Sequence, residues 1–196
     1  MKKLLSILLA IVLVLSVSSV AFASVPSKTT ADLVKLIGVA SPTGDTLPVK
    51  FVIPILEQST VASEELVAIA AYSQQSGVSL VSYFDQTVQD QIKVLLPEEF
   101  AVDKLTMNEF LPITLVDYKT EYGDLVVSFT FATPYTDGQP IVAMVGIKED
   151  STVTWFAQKA EVVNGIVNIS FTQDVLTKIQ EANGDFMLAI LSEASV

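Results

Sequence analysis

Leu125-Val126-Val127-Ser128-Phe129-Thr130-Phe131 decides what kind of fold this chain makes. Leucine, valine and phenylalanine hold the odd positions, while Val126, Ser128 and Thr130 hold the even ones. Successive side chains of a strand point to opposite faces. A period of two with one strongly apolar side therefore marks a strand lying over a core. The polar stretches around it carry turn residues: Asp117 to Asp124 with Gly123 before it, and Pro134 to Pro140 with Asp137-Gly138 after it.

Toward the C-terminus, Ile141 to Ile147 is apolar on both faces, as a central strand is. Lys148-Glu149-Asp150-Ser151 turns the chain into Val153 to Gln158, where Trp155 and Phe156 point to opposite faces. Asn164-Gly165 lies between Val162-Val163 and Ile166-Val167. Asn-Gly accepts positive φ at both central positions, so it predicts a type I′ hairpin returning through Ile166 to Phe171. A short helix follows, capped by Thr172 or Asp174 and burying Val175, Leu176 and Ile179, with Asn183-Gly184 as its stop. Phe186 to Leu191 is a last buried strand. With an apolar, β-branched stretch at 113–116, this half holds about six strands at short spacing. The pattern predicts an immunoglobulin-like β-sandwich with one short crossover helix.

Toward the N-terminus, Leu33 to Ala40 and Lys50 to Leu56 are extended candidates joined by a turn at Ser41 to Asp45. Pro54 makes the second an edge or irregular strand. A helix capped by Thr60 or Ser63 carries Ala62, Leu66, Ile69 and Ala70 at helical spacing, with Gly77 as its stop. A second helix runs from Ser79 to Leu96 with Val81, Phe84, Val88, Ile92 and Leu95 on one stripe, unless Asp85 restarts it. Pro97 ends it, and Glu98 to Met107 connects to the strands. The class is α+β. The expected organisation is a signal peptide at 1–23, a mixed segment with two helices at 24–110 and a β-sandwich at 111–196.

The leader has Lys2 and Lys3, an apolar run from Leu4 to Val17, then Ser18, Ser19 and Ala21-Phe22-Ala23. Small residues at the first and third places of that triplet suit signal peptidase, so cleavage is expected before Ser24. The alternative use of Leu4 to Ala23 is a retained anchor, since about 20 apolar residues span a bilayer. Val25 to Thr30 is a polar stretch after the junction.

The 196 residues carry 22 acids and 11 lysines, with no arginine, histidine or cysteine, for a net charge of -11. Losing Lys2 and Lys3 leaves 9 lysines against 22 acids, or -13. These absences remove Ser-His-Asp triads, cysteine nucleophiles, His/Cys zinc sites, bidentate guanidinium recognition and disulfides. The charge repels nucleic acid and anionic lipid, so neither nucleic acid nor, after cleavage, a membrane is an expected partner.

The run Tyr122-Gly123-Asp124-Leu125 through Thr136-Asp137-Gly138, with the ending Phe186-Met187-Leu188-Ala189-Ile190-Leu191-Ser192-Glu193, resembles small exported proteins of Gram-positive bacteria. The resemblance spans roughly residues 110–193. It implies export and supplies no functional residue.

Carboxylates are the remaining catalytic candidates, because glycoside hydrolysis needs two of them flanking the scissile bond. The doublets Glu64-Glu65, Glu98-Glu99 and Glu149-Asp150 are read as solvated surface and helix-dipole compensation. Asp117, Glu121 and Asp124 share a loop and form a candidate calcium site, off EF-hand spacing. Tyr118, Tyr122, Tyr135 and Trp155 would stack on sugar if aligned on an exposed face, and otherwise serve as core and corner packing. No catalytic, cofactor or metal residue is assigned. The expected function is an exported, non-enzymatic interaction or structural module at the cell envelope or beyond it, with an extracellular protein or glycan as partner. The alternatives are a secreted carboxylate-dependent hydrolase or a sugar-binding module acting on polysaccharide or cell wall.

Overall fold

The structure is a computed structural model that describes residues 34–150 and 152–193. The expected signal peptide, its junction at Ser24 and the stretch Val25 to Thr30 lie outside the described residues. In chain order the elements are β1 (Val34–Ala40), β2 (Lys50–Val52), α1 (Thr60–Ser73), α2 (Gln86–Leu95), β3 (Leu105–Val116), β4 (Leu125–Phe131), β5 (Ile141–Glu149), β6 (Thr152–Val163), β7 (Ile166–Phe171), α3 (Gln173–Glu181) and β8 (Asp185–Glu193).

All eight strands join one antiparallel sheet in the order β1-β4-β7-β6-β5-β8-β3-β2. The hairpin from β1 to β2 draws the two ends of that order together. Ala40 bridges Thr46, and the Leu47 N–H donates to the Val39 carbonyl at 3.1 Å. The sheet is thus nearly closed into a barrel. The α+β class stands, but the two stacked sheets of the expected immunoglobulin-like sandwich are replaced by one wrapped sheet. Six of its strands come from the predicted run. The closing pieces, β1 and β2, come from the segment before it. The expected boundary at 110/111 falls inside β3.

The barrel interior follows from the period of two. Leu125, Val127, Phe129 and Phe131 of β4 face inward with Ile169 and Phe171 of β7 and Leu188 and Ile190 of β8. Phe51, Phe171 and Phe186 pack their rings at centroid distances of 5.3 to 6.1 Å. β7 ends, and β8 begins, at the same end of the barrel. α3 lies across that end and sends Val175, Leu176 and Ile179 into the same core. Asn183 and Gly184, both at positive φ, stop α3 as expected. Gly184 is required by proximity as well, since a Cβ there would come within 2.5 Å of the Leu115 carbonyl oxygen.

The outer face of β3, β5, β6 and β8 carries a second core. Leu66 and Ile69 of α1, Phe84, and Val88 and Ile92 of α2 pack there against Val142, Met144, Trp155, Met187 and Ala189. β5 and β8 are therefore buried on both faces, which explains the unbroken apolar run at 141–147. In β3 the register slips between Met107 and Glu109, a one-residue bulge at Asn108. The slip lets Leu105 and Met107 serve the outer core, while Leu111, Ile113 and Leu115 serve the inner one. It also hides the strand from a period-two reading, so β3 begins at Leu105, within the stretch expected to be a connection. Pro112 is tolerated because β2 covers β3 only opposite Thr114 to Val116.

The helix starts also shifted. A short 3-10 turn, Leu56–Gln58, precedes α1, so Ser59 is the cap, its Oγ accepting the Ala62 N–H at 3.3 Å. Ser63 instead donates to the Leu56 carbonyl at 3.0 Å. The expected helix from Ser79 to Leu96 is broken. Leu80–Tyr83 is a 3-10 turn, Phe84 is extended, and Asp85 restarts the chain by accepting the Val88 N–H at 2.9 Å.

Candidate functional site

Where the helical layer gives way, a cavity of about 460 Å³ opens between the segment Pro54 to Val61 and the outer face of β3, β8 and β5. Its floor is a row across three strands, set by the registers Pro112↔Met187 and Gly146↔Met187. The next row along the same face holds Thr114 and Asp185, paired in register, and Lys148. Gln58, Ser59 and Val61 form the opposite wall at the start of α1. The groove thus has apolar sides (Pro54, Val61, Pro112, Met187) and a charged end.

Gly146 leaves its side-chain place on that floor to Trp155. Its neighbour across the ladder is Trp155, whose ring lies over it so closely that a Cβ would come within 2.8 Å. Trp155 is fixed from the helical side as well. Its Nε1–H donates to Glu65 Oε1 at 3.2 Å, and the Tyr83 hydroxyl donates to the same oxygen at 2.7 Å. The Phe84 ring meets Trp155 edge-on at 5.5 Å, and Tyr83 continues the chain of rings to Tyr72. Burial, and then the hydrogen bond and charge of Glu65, push the Tyr83 phenol well above its ordinary value. One carboxylate on α1 thereby ties the helical layer to β6 beside the groove.

At the far end of the sheet, Ser192 is fully buried at the β3 bulge. Its Oγ receives Asn108 Nδ2 and, at 3.1 Å, Gln139 Nε2. Thr106 Oγ1 donates to the Ser192 carbonyl at 3.1 Å. Nearby, burial and then the charge of Glu109 raise the Tyr135 phenol far above its usual range, and its hydroxyl has no hydrogen-bond partner among the described residues. This network ties the loop 132–140 to β3 and β8. The same loop also reaches the Asn164-Gly165 hairpin, where Asp137 Oδ1 accepts the Gly165 N–H at 2.9 Å.

The sequence-derived candidates are dispersed. Asp117 pairs with Lys50 at 3.0 Å, Glu121 lies 3.8 Å from Lys119, and Asp124 accepts the Gln173 N–H at 2.8 Å at the start of α3. The acidic loop spends its carboxylates on separate neighbours, and no group of three potential metal ligands is found among the described residues. Tyr118, Tyr135 and Trp155 are buried, and Tyr122 is half-buried against Tyr118. They are packing residues. Tyr118 also donates to the Gly123 carbonyl at 3.0 Å, and burial followed by the charge of Asp124 raises its phenol. Glu64, Glu98, Glu99 and Asp150 are exposed, and Glu149 accepts the Thr154 hydroxyl at 3.1 Å.

The groove was not foreseen from the sequence. Its walls come from segments around positions 54–61, 112–114, 146–148 and 182–187, and Lys148 was read only as a turn residue. A lysine following an alternation of apolar outer-face residues in β5 was the one available signal. No protein family, no curated protein and no solved structure matches the chain.

Proposed function

We propose that the chain is an exported, non-enzymatic binding module, acting at the cell envelope or outside the cell, and that its partner seats in the groove beside α1. The groove itself carries this reading. It has the size and mixture of apolar wall and few polar groups that small-ligand and peptide sites have. Asp185 is the single carboxylate lining it. Hydrolysis by paired carboxylates needs two, about 5–10 Å apart. The leader and the resemblance to exported proteins support the location, and the chain's net charge of -11 favours a protein or glycan partner over nucleic acid.

The test is capture from envelope fractions of the host, comparing the native chain with Val61→Trp, which fills the groove from a half-buried wall position. Retention of the native chain and loss with the variant, at unchanged circular dichroism, is the expected result. Equal retention of both overturns the assignment of the site. Mass spectrometry of material outside the cell is expected to find Ser24 as its first residue, and recovery of an intact Met1 form in the membrane fraction overturns export with cleavage.

A further inference from the structure

The following inference rests on the groove being a ligand site and names what the site takes. We propose that the ligand is a short zwitterionic peptide, its carboxylate on Lys148 and its ammonium on Asp185.

The charges are placed for this. Gly146 and Met187 are in register on β5 and β8. Lys148 and Asp185 stand at the next same-face position on each strand, on adjoining strands about 5 Å apart. Both side chains are exposed at the groove. They do not pair with each other, and Lys148 makes no ion pair among the described residues. The Thr114 hydroxyl donates to Asp185 Oδ1 at 2.7 Å, which orients the carboxylate and leaves its second oxygen for a ligand.

Electrostatics then selects the ligand class. A simple anion is attracted by Lys148 but repelled by Asp185 and by a chain of net charge -11. A simple cation meets Lys148 in the same groove. A neutral glycan leaves both charges desolvated without a partner, which is unfavourable. A molecule that carries both charges and no net charge satisfies each group and meets no long-range repulsion. The space of about 460 Å³ beside the pair, walled by Val61, Pro112 and Met187, receives the peptide's small apolar side chains.

The test is titration calorimetry of the chain purified from its host with trialanine and with N-acetyl-trialanine amide, whose ends are uncharged. Trialanine is expected to bind at least about tenfold more tightly than the blocked peptide. Lys148→Asp and Asp185→Lys should each abolish that preference, and the double exchange should restore it with the peptide reversed. Equal binding of the two peptides, or failure of a natively folded double variant to recover, overturns the peptide assignment. If both peptides fail while envelope capture remains sensitive to Val61→Trp, the zwitterion is wrong and the binding groove stands. If capture is also insensitive, the groove reading falls with it.

Discussion

The inside of the barrel and the helical layer outside it are both apolar cores, yet they are built by different rules. The inside is made of strands contributing every second residue, with α3 across one end and hydrocarbon almost throughout. The outside is made of two helices and a 3-10 turn joined to the sheet through rings with polar tips, Trp155 and Tyr83, that converge on one carboxylate, Glu65. A hydrocarbon core resists loss of volume anywhere along it. A layer that adds a buried polar joint to its apolar packing is also sensitive at that joint. The sheet is therefore expected to survive local detachment of the helices, whereas the helices lose the sheet side of their core when they detach.

That contrast can be broken from either side. The largest effect is expected inside, where Phe129→Ala removes a fully buried ring between β1 and β7. It should cost about 3–5 kcal/mol in chemical denaturation and lower the whole transition, since every strand shares that core. The next is Gly146→Val, which forces a side chain into the Trp155 ring. It should cost about 1–3 kcal/mol and change tryptophan fluorescence while the far-ultraviolet strand signal persists. An equal loss of strand signal at the same denaturant concentration would mean that the two cores unfold as one.

A smaller effect is expected from Glu65→Ala, which leaves the Trp155 N–H and the Tyr83 hydroxyl without their acceptor. It should cost about 1–2 kcal/mol, and the Tyr83 phenol should titrate closer to its ordinary value in an absorbance titration. The smallest is Tyr135→Phe, which deletes a buried hydroxyl that has no hydrogen-bond partner among the described residues. It should stabilise the chain by up to about 1 kcal/mol at neutral pH. Its pH signature has a definite sign. The folded state holds the Tyr135 phenol above the ordinary phenol value of 10.0, so it keeps its proton where the unfolded chain loses it. Stability is fully present below pH 10 and falls as the pH rises beyond it, and Tyr135→Phe should flatten part of that alkaline decline.

Local chemistry made much of the sheet legible. β4 alternates without a break, Asn164 and Gly165 adopt the positive φ values that their hairpin requires, and α3 buries the three residues its spacing indicated. Each of those features is decided within about ten residues of chain. What stayed hidden depends on residues far apart in sequence. The pairing of β1 with β4, and of β2 with β3, converts two expected sheets into one wrapped sheet, and nothing in Val34 to Ala40 names its neighbour. β3 was obscured twice, by the Asn108 bulge that inverts its period and by Pro112, whose missing N–H is harmless only beyond the end of β2. The groove was hidden for the same reason, because Lys148 and Asp185 become neighbours only when β5 pairs with β8.

The position of β8 in the strand order also bears on biogenesis. It leaves the ribosome after every strand it joins, yet it sits between β5 and β3. A nascent polypeptide that has not reached Asp185 holds two raw-edged fragments, joined through the short contact of Ala40 with Thr46. The barrel therefore cannot close before β8 has been made, and until then the edges of β5 and β3 that it will cover stay open to other chains.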